Sequence, residues 1–327
     1  MRRLRFLSAL ALGPTLAASA FRASAQAPWS PNKPSHLISP YAAGGTNDLL
    51  ARLLAQKLSE RLGESVIVDN RAGANGIIGS DLVAKSPADG YALLMGNSAT
   101  HGINPGLYPK LPYNAVRDFT PIGLMATVPL LLIVSPSLGV SNLKELVALA
   151  KAKPHTLSVA SSGIGSSPHL ASELFKSAAG IDLVHVPYKG DLPAITDVMG
   201  GQVTMFFANM PSAVPFVQSG KLKALAMTAP HRASALADIP TMAEAGVNGV
   251  EIQSWYGLMA PAKLPADVMA RLDKEFQAVM QLPDVQARIR QLGAEPANGT
   301  QAQFQRFVGT EVDKYAKIIK ASGIVLE

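Results

Sequence analysis

The stretch SPYAAGGTNDLLARLLAQKL, residues 39–58, links two segments of different character through a loop that contains Gly44 and Gly45. Residues 36–39 before it have the apolar character of a strand. Residues 47–62 carry leucines with the 3.6-residue period of a helix, so one helical face is apolar. We therefore predict a strand that opens through a glycine loop into a helix, which is the elementary unit of an α/β fold.

The same unit recurs along the chain and predicts the fold class. The first series comprises strand 36–39, helix 47–62, strand 65–69, helix 77–85 and strand 91–95. The second series comprises strand 156–160, helix 169–179, strand 182–186, helix 192–199 and strand 203–207. Each series has the β-α-β-α-β order of a parallel sheet. Two series predict two α/β domains of similar build.

The segments outside these series are predicted to connect and cover the two domains. Strand-like runs at 122–127 and 130–135 could cross from one domain to the other, and residues 250–260 could return. Amphipathic helices are predicted at 265–281, 284–292 and 301–322. Their periodicity fits a cover over either domain.

Residues 1–27 have the parts of a secretory signal: a basic start MRRLRF, an apolar run, and Ala25 and Ala27 in an A-x-A pattern. We expect this segment to be cleaved on export, by the general secretory route or, given the Arg2–Arg3 pair, by the twin-arginine route. It holds four arginines and no acidic residue, so its removal lowers the formal net charge from +6 by four, to +2. A nearly neutral mature chain without a dense basic run argues against a nucleic-acid partner.

The composition describes a globular chain and excludes several kinds of chemistry. Of 327 residues, 48% are hydrophobic and 16% charged, and there is no cysteine, which removes thiolate metal sites and cysteine nucleophiles. G-x-S-x-G, H-E-x-x-H and clustered metal-spaced His, Asp and Glu are also missing. We expect no catalytic residue, no metal and no cofactor. One alternative stays open: a hydrolase or lyase on the same scaffold, with Asp48 or His169 as its base.

Two strand-to-helix loops are candidates for binding an anion, because helix N-termini offer free N–H groups and a positive dipole end. In the first loop, Gly44 and Gly45 would let backbone approach a ligand, while Thr46 or Asp48 could cap the helix. The same residues are equally ordinary helix-start chemistry.

The second loop, SSGIGSSPHL at 161–170, offers four serine hydroxyls and two glycines without a lysine. It lacks the G-K-[ST] of a P-loop and the third glycine of a dinucleotide fingerprint. A neutral, donor-rich loop favours a carboxylate that binds reversibly over a phosphate that is transferred. His169 could contact a ligand, or it could cap or pack at the start of the helix.

Several long segments resemble one known family. They are SPYAAGGTNDLLARLLAQKLSERLG, VIVDNRAGANGIIGSDLVAKSPADGYALLMG, INPGLYPKLPYN, SSGIGSSPHLASELFKSAAGIDLVHVPYKG, GGQVTMFF and IPTMAEAG. Together they make the mature chain similar, over its whole length, to the Bug-type solute receptors of tripartite tricarboxylate transporters. The resemblance implies a periplasmic monomer without enzymatic activity or cofactor. Such a receptor captures a small carboxylated solute for membrane transporter subunits. A receptor that signals to a membrane kinase is the remaining alternative.

The resemblance also implies a two-domain Venus-flytrap fold of the type II periplasmic-binding-protein class, with the ligand in the cleft. The expected division is lobe 1 at 28–128 plus 252–327 and lobe 2 at 129–251. The implied ligand-binding residues of lobe 1 are Gly44, Gly45, Thr46, Asp48, Asn97 and Ser98. Those of lobe 2 are Ser161, Ser162, Ser166, Ser167, His169, Tyr188, Lys189, Gly190 and Asn209.

Asp191 departs from the family pattern, since a small or neutral residue is more frequent after the Y-K-G motif. If this side chain faces the cleft, it would repel a second carboxylate. The departure therefore favours a monoacid or an amino-bearing ligand.

Overall fold

The computed structural model of the chain describes residues 29–322. The signal segment predicted at 1–27 lies outside the described residues. The strands are β1 (Ser35–Ser39), β2 (Val66–Asn70), β3 (Ala92–Asn97), β4 (Phe119–Val134), β5 (Ser158–Ser161), β6 (Val184–Pro187), β7 (Met205–Asn209), β8 (Lys223–Met227), β9 (Gln253–Pro261) and β10 (Glu295–Pro296). The α-helices are α1 (Thr46–Leu62), α2 (Ile77–Ala84), α3 (Asn104–Leu107), α4 (Leu143–Ala152), α5 (Ser167–Ala179), α6 (Asp191–Met199), α7 (Met210–Gln218), α8 (Ala266–Met280), α9 (Pro283–Gln291) and α10 (Gln301–Ser322). Of the described helices, none combines the length and apolar character that crossing a membrane requires.

Both predicted β-α-β-α-β series are present, with every element within two residues of its expected bounds. Within each series the strands run parallel: β2, β1 and β3 form one parallel set, and β7, β5 and β6 form the other. The full strand order is β2-β1-β3-β9-β4-β7-β5-β6, with β8 and β10 also paired to β4. The α/β class is therefore confirmed.

Strand β4 links the two parallel sets. From Phe119 to Pro129 it pairs antiparallel with β9, and from Leu130 to Val134 it pairs with β7 and β8. We call the half that contains β1, β2, β3 and β9 lobe 1, and the half that contains β5 to β8 lobe 2. The change of partners between Pro129 and Leu130 supports the expected boundary after residue 128, although the residue-level division stays a prediction.

The expectation of two separate runs at 122–127 and 130–135 is wrong, because β4 is a single strand of 16 residues. Val128 and Pro129 stay in register, opposite Ser254 and Gln253. Pro129 lies at the last paired position with β9, where a missing N–H costs least. The strand therefore continues through the proline into lobe 2.

The leucine stripe of α1 forms part of the main core. Leu50, Leu54 and Leu58 are fully buried, and each contributes roughly 2 kcal/mol of apolar burial. Helix α8 packs against α1 and β4, so it covers lobe 1. Helix α10 packs against β4, α3 and the π-helical turn Ala99–Ile103. Periodicity did not show what these two helices cover, and the structure places α8 on lobe 1 and α10 against β4, the strand that both lobes share.

The topology brings five strand ends together. The carboxyl ends of β1 and β3 in lobe 1 lie opposite those of β5, β6 and β7 in lobe 2, and residues around all of them line one cavity. Ligands of open α/β sheets bind outside the carboxyl ends of the strands. The fold therefore places a candidate site between the lobes.

Candidate ligand-binding site

The cavity between the lobes is small, and most of the residues around it have polar side chains. Its volume is about 30 Å³, enough for one or two water molecules but not for an organic acid. The lining residues are Tyr41, Gly45, Thr46, Asn47, Asn97, Ser98, Ala99, Ser162, Ser166, Ser167, Pro168, Gly190, Asp191, Asn209, Ser254 and Tyr256. No lysine, arginine or histidine is among these lining residues, and Asp191 is the single charged one. The lobes must therefore separate to admit a solute.

Lobe 1 approaches lobe 2 through the start of α1. Thr46 is the first residue of the helix, and its Oγ1 donates to Asp191 Oδ2 at 3.0 Å. Just before it, Gly44 has a φ of +80°, and a Cβ there would lie 2.9 Å from Leu192 Cδ2. A side chain at residue 44 would therefore be strained and would press on lobe 2.

The Asp191 carboxylate is the centre of one end of the cavity. The residue is 5% exposed, and Asn209 Nδ2 donates to its two oxygens at 3.0 and 3.1 Å. Ser212 Oγ donates to Oδ2 at 2.9 Å, and Ser162 Oγ donates to Oδ1. We call Asp191, Thr46, Ser162, Asn209 and Ser212 the Asp191 end.

Neutral groups alone balance the buried charge at the Asp191 end. Within residues 29–322 no cationic side chain forms an ion pair with Asp191. Instead, Thr46 begins α1, Asp191 begins α6, and Asn209 precedes α7, so the positive ends of three helices converge there. Donated hydrogen bonds and helix dipoles are the usual substitutes for a counter-ion.

The pKa values of two buried tyrosines are affected by the negative charge at this end. Burial raises the pKa of Tyr41 and Tyr256 above the ordinary value of 10.0, and the negative charge of Asp191 adds to both shifts. Their hydroxyls therefore stay protonated and remain available as neutral hydrogen-bonding groups.

A second part of the cavity lining is built from serines at the start of α5. Ser98 Oγ lies 2.8 Å from Ser167 Oγ, a contact between lobe 1 and lobe 2. Ser166 caps the helix, since its Oγ accepts the His169 N–H at 3.3 Å, and Pro168 occupies the first turn. We call Ser98, Ser166, Ser167 and Pro168 the Ser167 end.

Two stacked histidines lie behind the Ser167 end. The rings of His169 and His185 are 4.1 Å apart, and His185 Nε2 lies 2.6 Å from Ser161 Oγ. The pKa of each histidine is lowered to about 4, mainly by burial, and the positive charge of Lys176 contributes to both shifts. The pair is therefore neutral at pH 7.

Nine of the fifteen expected ligand-binding residues line the cavity, and six do not. The nine are Gly45, Thr46, Asn97, Ser98, Ser162, Ser166, Ser167, Gly190 and Asn209. The six that lie outside the lining are Gly44, Asp48, Ser161, His169, Tyr188 and Lys189. A binding role for any of the fifteen remains a prediction.

The six residues outside the lining have other partners or face solvent. Ser161 Oγ donates to Gly163 O, His169 Nδ1 accepts the Gly165 N–H, and Tyr188 Oη donates to Asp197. Lys189 is exposed. Gly44 serves its loop, because its N–H donates to Asp48 Oδ2 at 2.9 Å.

Asp48 faces the loop rather than the cavity. Burial alone would raise its pKa, but hydrogen bonds from Arg52, the Gly44 N–H and Asn70 outweigh burial and hold the pKa below its ordinary value. An ionised carboxylate whose oxygens already accept three hydrogen bonds is poorly placed to act as a base.

Sequence reasoning missed several polar residues of the site. They are Tyr41, Asn47, Ser212, Ser254 and Tyr256. Tyr41 lies in the loop between β1 and α1, and Asn47 lies at the start of α1, so position alone could have indicated them. Ser254 and Tyr256 lie on β9, and their contribution depends on β9 pairing between β3 and β4.

The fold and the site define a class of protein: a two-lobed solute-binding protein of the periplasmic-binding-protein fold, with its polar site between the lobes. Comparison with known proteins gives the family. Residues 50–324 match the tripartite tricarboxylate transporter family receptor (TctC), and the chain belongs to this family.

Relatives and solved structures agree with that assignment. The chain is 35% identical to protein BugT of Bordetella pertussis, over 97% of both chains. It is 38% identical to an R. palustris protein solved with adipate, covering 90% of this chain and 99% of that one with a TM-score of 0.88. For the periplasmic binding protein BugD the identity is 36%, the coverage 91% and 100%, and the TM-score 0.87. MatC of Rhodopseudomonas palustris, solved with malate, is 30% identical over 88% and 99%, with a TM-score of 0.84.

Proposed function

We propose that this receptor captures a small carboxylated organic solute in the cavity between its lobes and delivers it, as a monomer in the periplasm, to the membrane subunits of a tripartite tricarboxylate transporter. Family membership supports the receptor role. The structures solved with adipate and with malate support a carboxylate as the recognised group.

One observation carries the proposal: the cavity already holds a carboxylate, that of Asp191, with neutral donors from both lobes and no cation. The same donor types occur at the Ser167 end, where α5 begins. Reversible capture needs moderate, not extreme, attraction, and neutral donors with helix dipoles provide it.

Capture couples to a hinge motion. A cavity of about 30 Å³ cannot admit the solute without opening, and β4 is the strand that runs from one lobe into the other. Solute that contacts both lobes binds the closed form better, so it shifts an open–closed equilibrium toward closure.

We also propose that the solute leaves unchanged. The two candidate bases named from the sequence, Asp48 and His169, lie outside the lining, with Asp48 held by Arg52 and His169 Nδ1 by the Gly165 N–H. Mass spectrometry of the solute after prolonged incubation with the protein tests this point. Appearance of a product would support the hydrolase or lyase alternative.

Titration calorimetry of the mature chain against a panel of monocarboxylic, dicarboxylic and amino acids tests the receptor role. We expect at least one acid to bind, and Ser98→Ala to weaken that binding by about ten- to hundredfold, because a hydrogen bond to a charged group is lost. Ser86→Ala is the matched control, since Ser86 is a partly buried serine that donates to Leu82 O outside the cavity. Equal affinity of the Ser98→Ala variant and the wild type would place the site elsewhere.

A further inference from the structure

We infer that Asp191 fills one of two anion-binding positions in the cavity, so that this receptor selects a solute with one carboxylate and an ammonium group over a dicarboxylate. The inference rests on the proposed function, because it names the solute class that the same cavity takes.

The first step concerns what the Asp191 end is built to hold. Three helix N-termini and the neutral donors Thr46, Ser162, Asn209 and Ser212 surround one carboxylate at this end. This is an anion cradle, and the chain fills it with its own side chain. A solute carboxylate placed there would lie against Asp191, and like charges so close cost several kcal/mol.

The second step is that hydroxyl rotation leaves room for a donor. Thr46 Oγ1 and Ser212 Oγ each lie within hydrogen-bond distance of Asp191 Oδ2 and 2.8 Å from one another. Two hydroxyl protons cannot serve these three contacts at once. One hydroxyl can therefore turn to its neighbour, and a solute N–H can take its place on the carboxylate.

An unpartnered acceptor at the same end points independently to a donor on the solute. Asn209 Oδ1 is buried and has no hydrogen-bond partner among the described residues, while Asn209 itself is 4% exposed and lines the cavity. The orientation of this amide is fixed, because its Nδ2 must face the two Asp191 oxygens. A buried acceptor without a partner is costly, and an ammonium group would satisfy it together with Asp191.

The Ser167 end remains for the solute carboxylate. Ser98 and Ser167 supply hydroxyls there, and α5, a helix of 13 residues, presents its N-terminus. No charged side chain lines this end. A zwitterion would thus place its carboxylate near Ser167 and its ammonium near Asp191, with each charge opposite a complementary group.

Calorimetry on the mature wild-type chain tests the inference with two sets of probes. The first set contains the amino acids glycine, alanine, 3-aminopropanoate, 4-aminobutanoate and 5-aminopentanoate. The second contains the dicarboxylates malate, succinate, glutarate and adipate. We expect the best amino acid to bind at least about tenfold more tightly than the best dicarboxylate.

Two variants of Asp191 sharpen the test. Asp191→Asn keeps the shape of the side chain and removes its charge, and Asp191→Ala empties the cradle. We expect both to lose affinity for the amino acid about tenfold or more and to gain affinity for a dicarboxylate. Asp197→Asn is the matched control, since Asp197 is on the same helix, bonds Tyr188 and lies outside the lining; it should keep the wild-type preference.

The outcomes separate the inference from the function on which it rests. A wild-type preference for dicarboxylates would overturn the inference and leave the receptor role intact, as would equal selectivity in the wild type and a folded Asp191→Asn variant. Binding of a monocarboxylic acid but of neither set would overturn the inference alone, whereas binding of no carboxylic acid in any panel would overturn the proposed function and the inference with it. The comparison of amino acids with dicarboxylates on the wild-type chain is decisive by itself. The inference can therefore be overturned even if an Asp191 variant does not fold.

Discussion

The two ends of the cavity use the same kinds of group but differ in what they balance. At the Asp191 end, four neutral side chains hold a buried carboxylate. At the Ser167 end, the hydroxyls of Ser98 and Ser167 bond one another, and no charge is present. We therefore expect similar polar residues to stabilise the folded protein at one end and to be left for a ligand at the other, according to the charge they face.

Removing Asn209 should have the largest effect on stability. In Asn209→Ala, the Asp191 carboxylate stays buried but loses two donated hydrogen bonds, of 3.0 and 3.1 Å. We expect the free energy of unfolding to fall by about 3 kcal/mol, because hydrogen bonds to a charged group are worth roughly 1.5–3 kcal/mol each. Urea unfolding at neutral pH measures it. The Asn209 side chain makes no capping bond to α7, so the loss is not one of a helix cap.

The control for that prediction is the variant that also removes the charge. In Asn209→Ala combined with Asp191→Ala, no buried carboxylate is left without donors, so most of the lost stability should return. If Asn209→Ala lowers the free energy of unfolding as much in the Asp191→Ala background as in the wild type, the two side chains are not coupled. That result would contradict the view that the Asp191 charge distinguishes the two ends.

The second effect is a pH dependence of stability that arises from His169 and His185, which lie behind the Ser167 end. Burial lowers the pKa of His169 and of His185 from 6.5 to about 4. Between these values the unfolded chain binds more protons than the folded one, so stability is full above about pH 6.5 and falls as the pH decreases toward 4. We expect His169 to contribute a loss of about 3 kcal/mol over this window, since one pKa unit corresponds to roughly 1.4 kcal/mol.

Urea unfolding from pH 7 to pH 4.5 measures this loss in the wild type and in His169→Gln, which removes the titrating group. The slope should be shallower in the variant but not zero, because burial also lowers the pKa of His185, to about 4, and that of His101, to about 3. Glu173 Oε1 lies 3.9 Å from His169 Nε2 and would partly offset the protonated ring. A slope that is unchanged in His169→Gln would mean that the pair does not titrate as its burial implies.

The sequence was sufficient for the parts of this site that lie next to strand ends. Thr46, Ser162, Ser167 and Asn209 each lie within seven residues after a predicted strand, and the carboxyl ends of parallel strands meet at one edge of a sheet. Loop position and residue type were therefore enough to select them.

Residues whose role depends on contacts distant in sequence could not be predicted. Ser212 reaches Asp191 only because α7 starts beside α6, and Tyr256 enters the lining only because β9 returns between β3 and β4. For these residues side-chain direction is decided by distant partners, and spacing alone does not reveal them. Asp48 differs, because its partner Arg52 lies only four residues further along α1, and the sequence therefore did indicate that this carboxylate could pair on the helix rather than line the cavity.

The smallest effect on stability should come from the Ser167 end. Ser167→Ala removes one neutral hydroxyl contact, that with Ser98 at 2.8 Å, and leaves the helix cap at Ser166 in place. A bond between neutral groups contributes about 1 kcal/mol or less to the free energy of unfolding. In the same urea experiment, the loss of unfolding free energy should therefore be at most a third of that in Asn209→Ala, while calorimetry with the best-binding solute should show a clear fall in affinity.

A loss of stability in Ser167→Ala that equals that in Asn209→Ala would show that the charge of Asp191 does not distinguish the two ends. An unchanged affinity would instead show that the Ser167 end does not receive the carboxylate, because a hydroxyl reserved for a ligand affects binding more than folding.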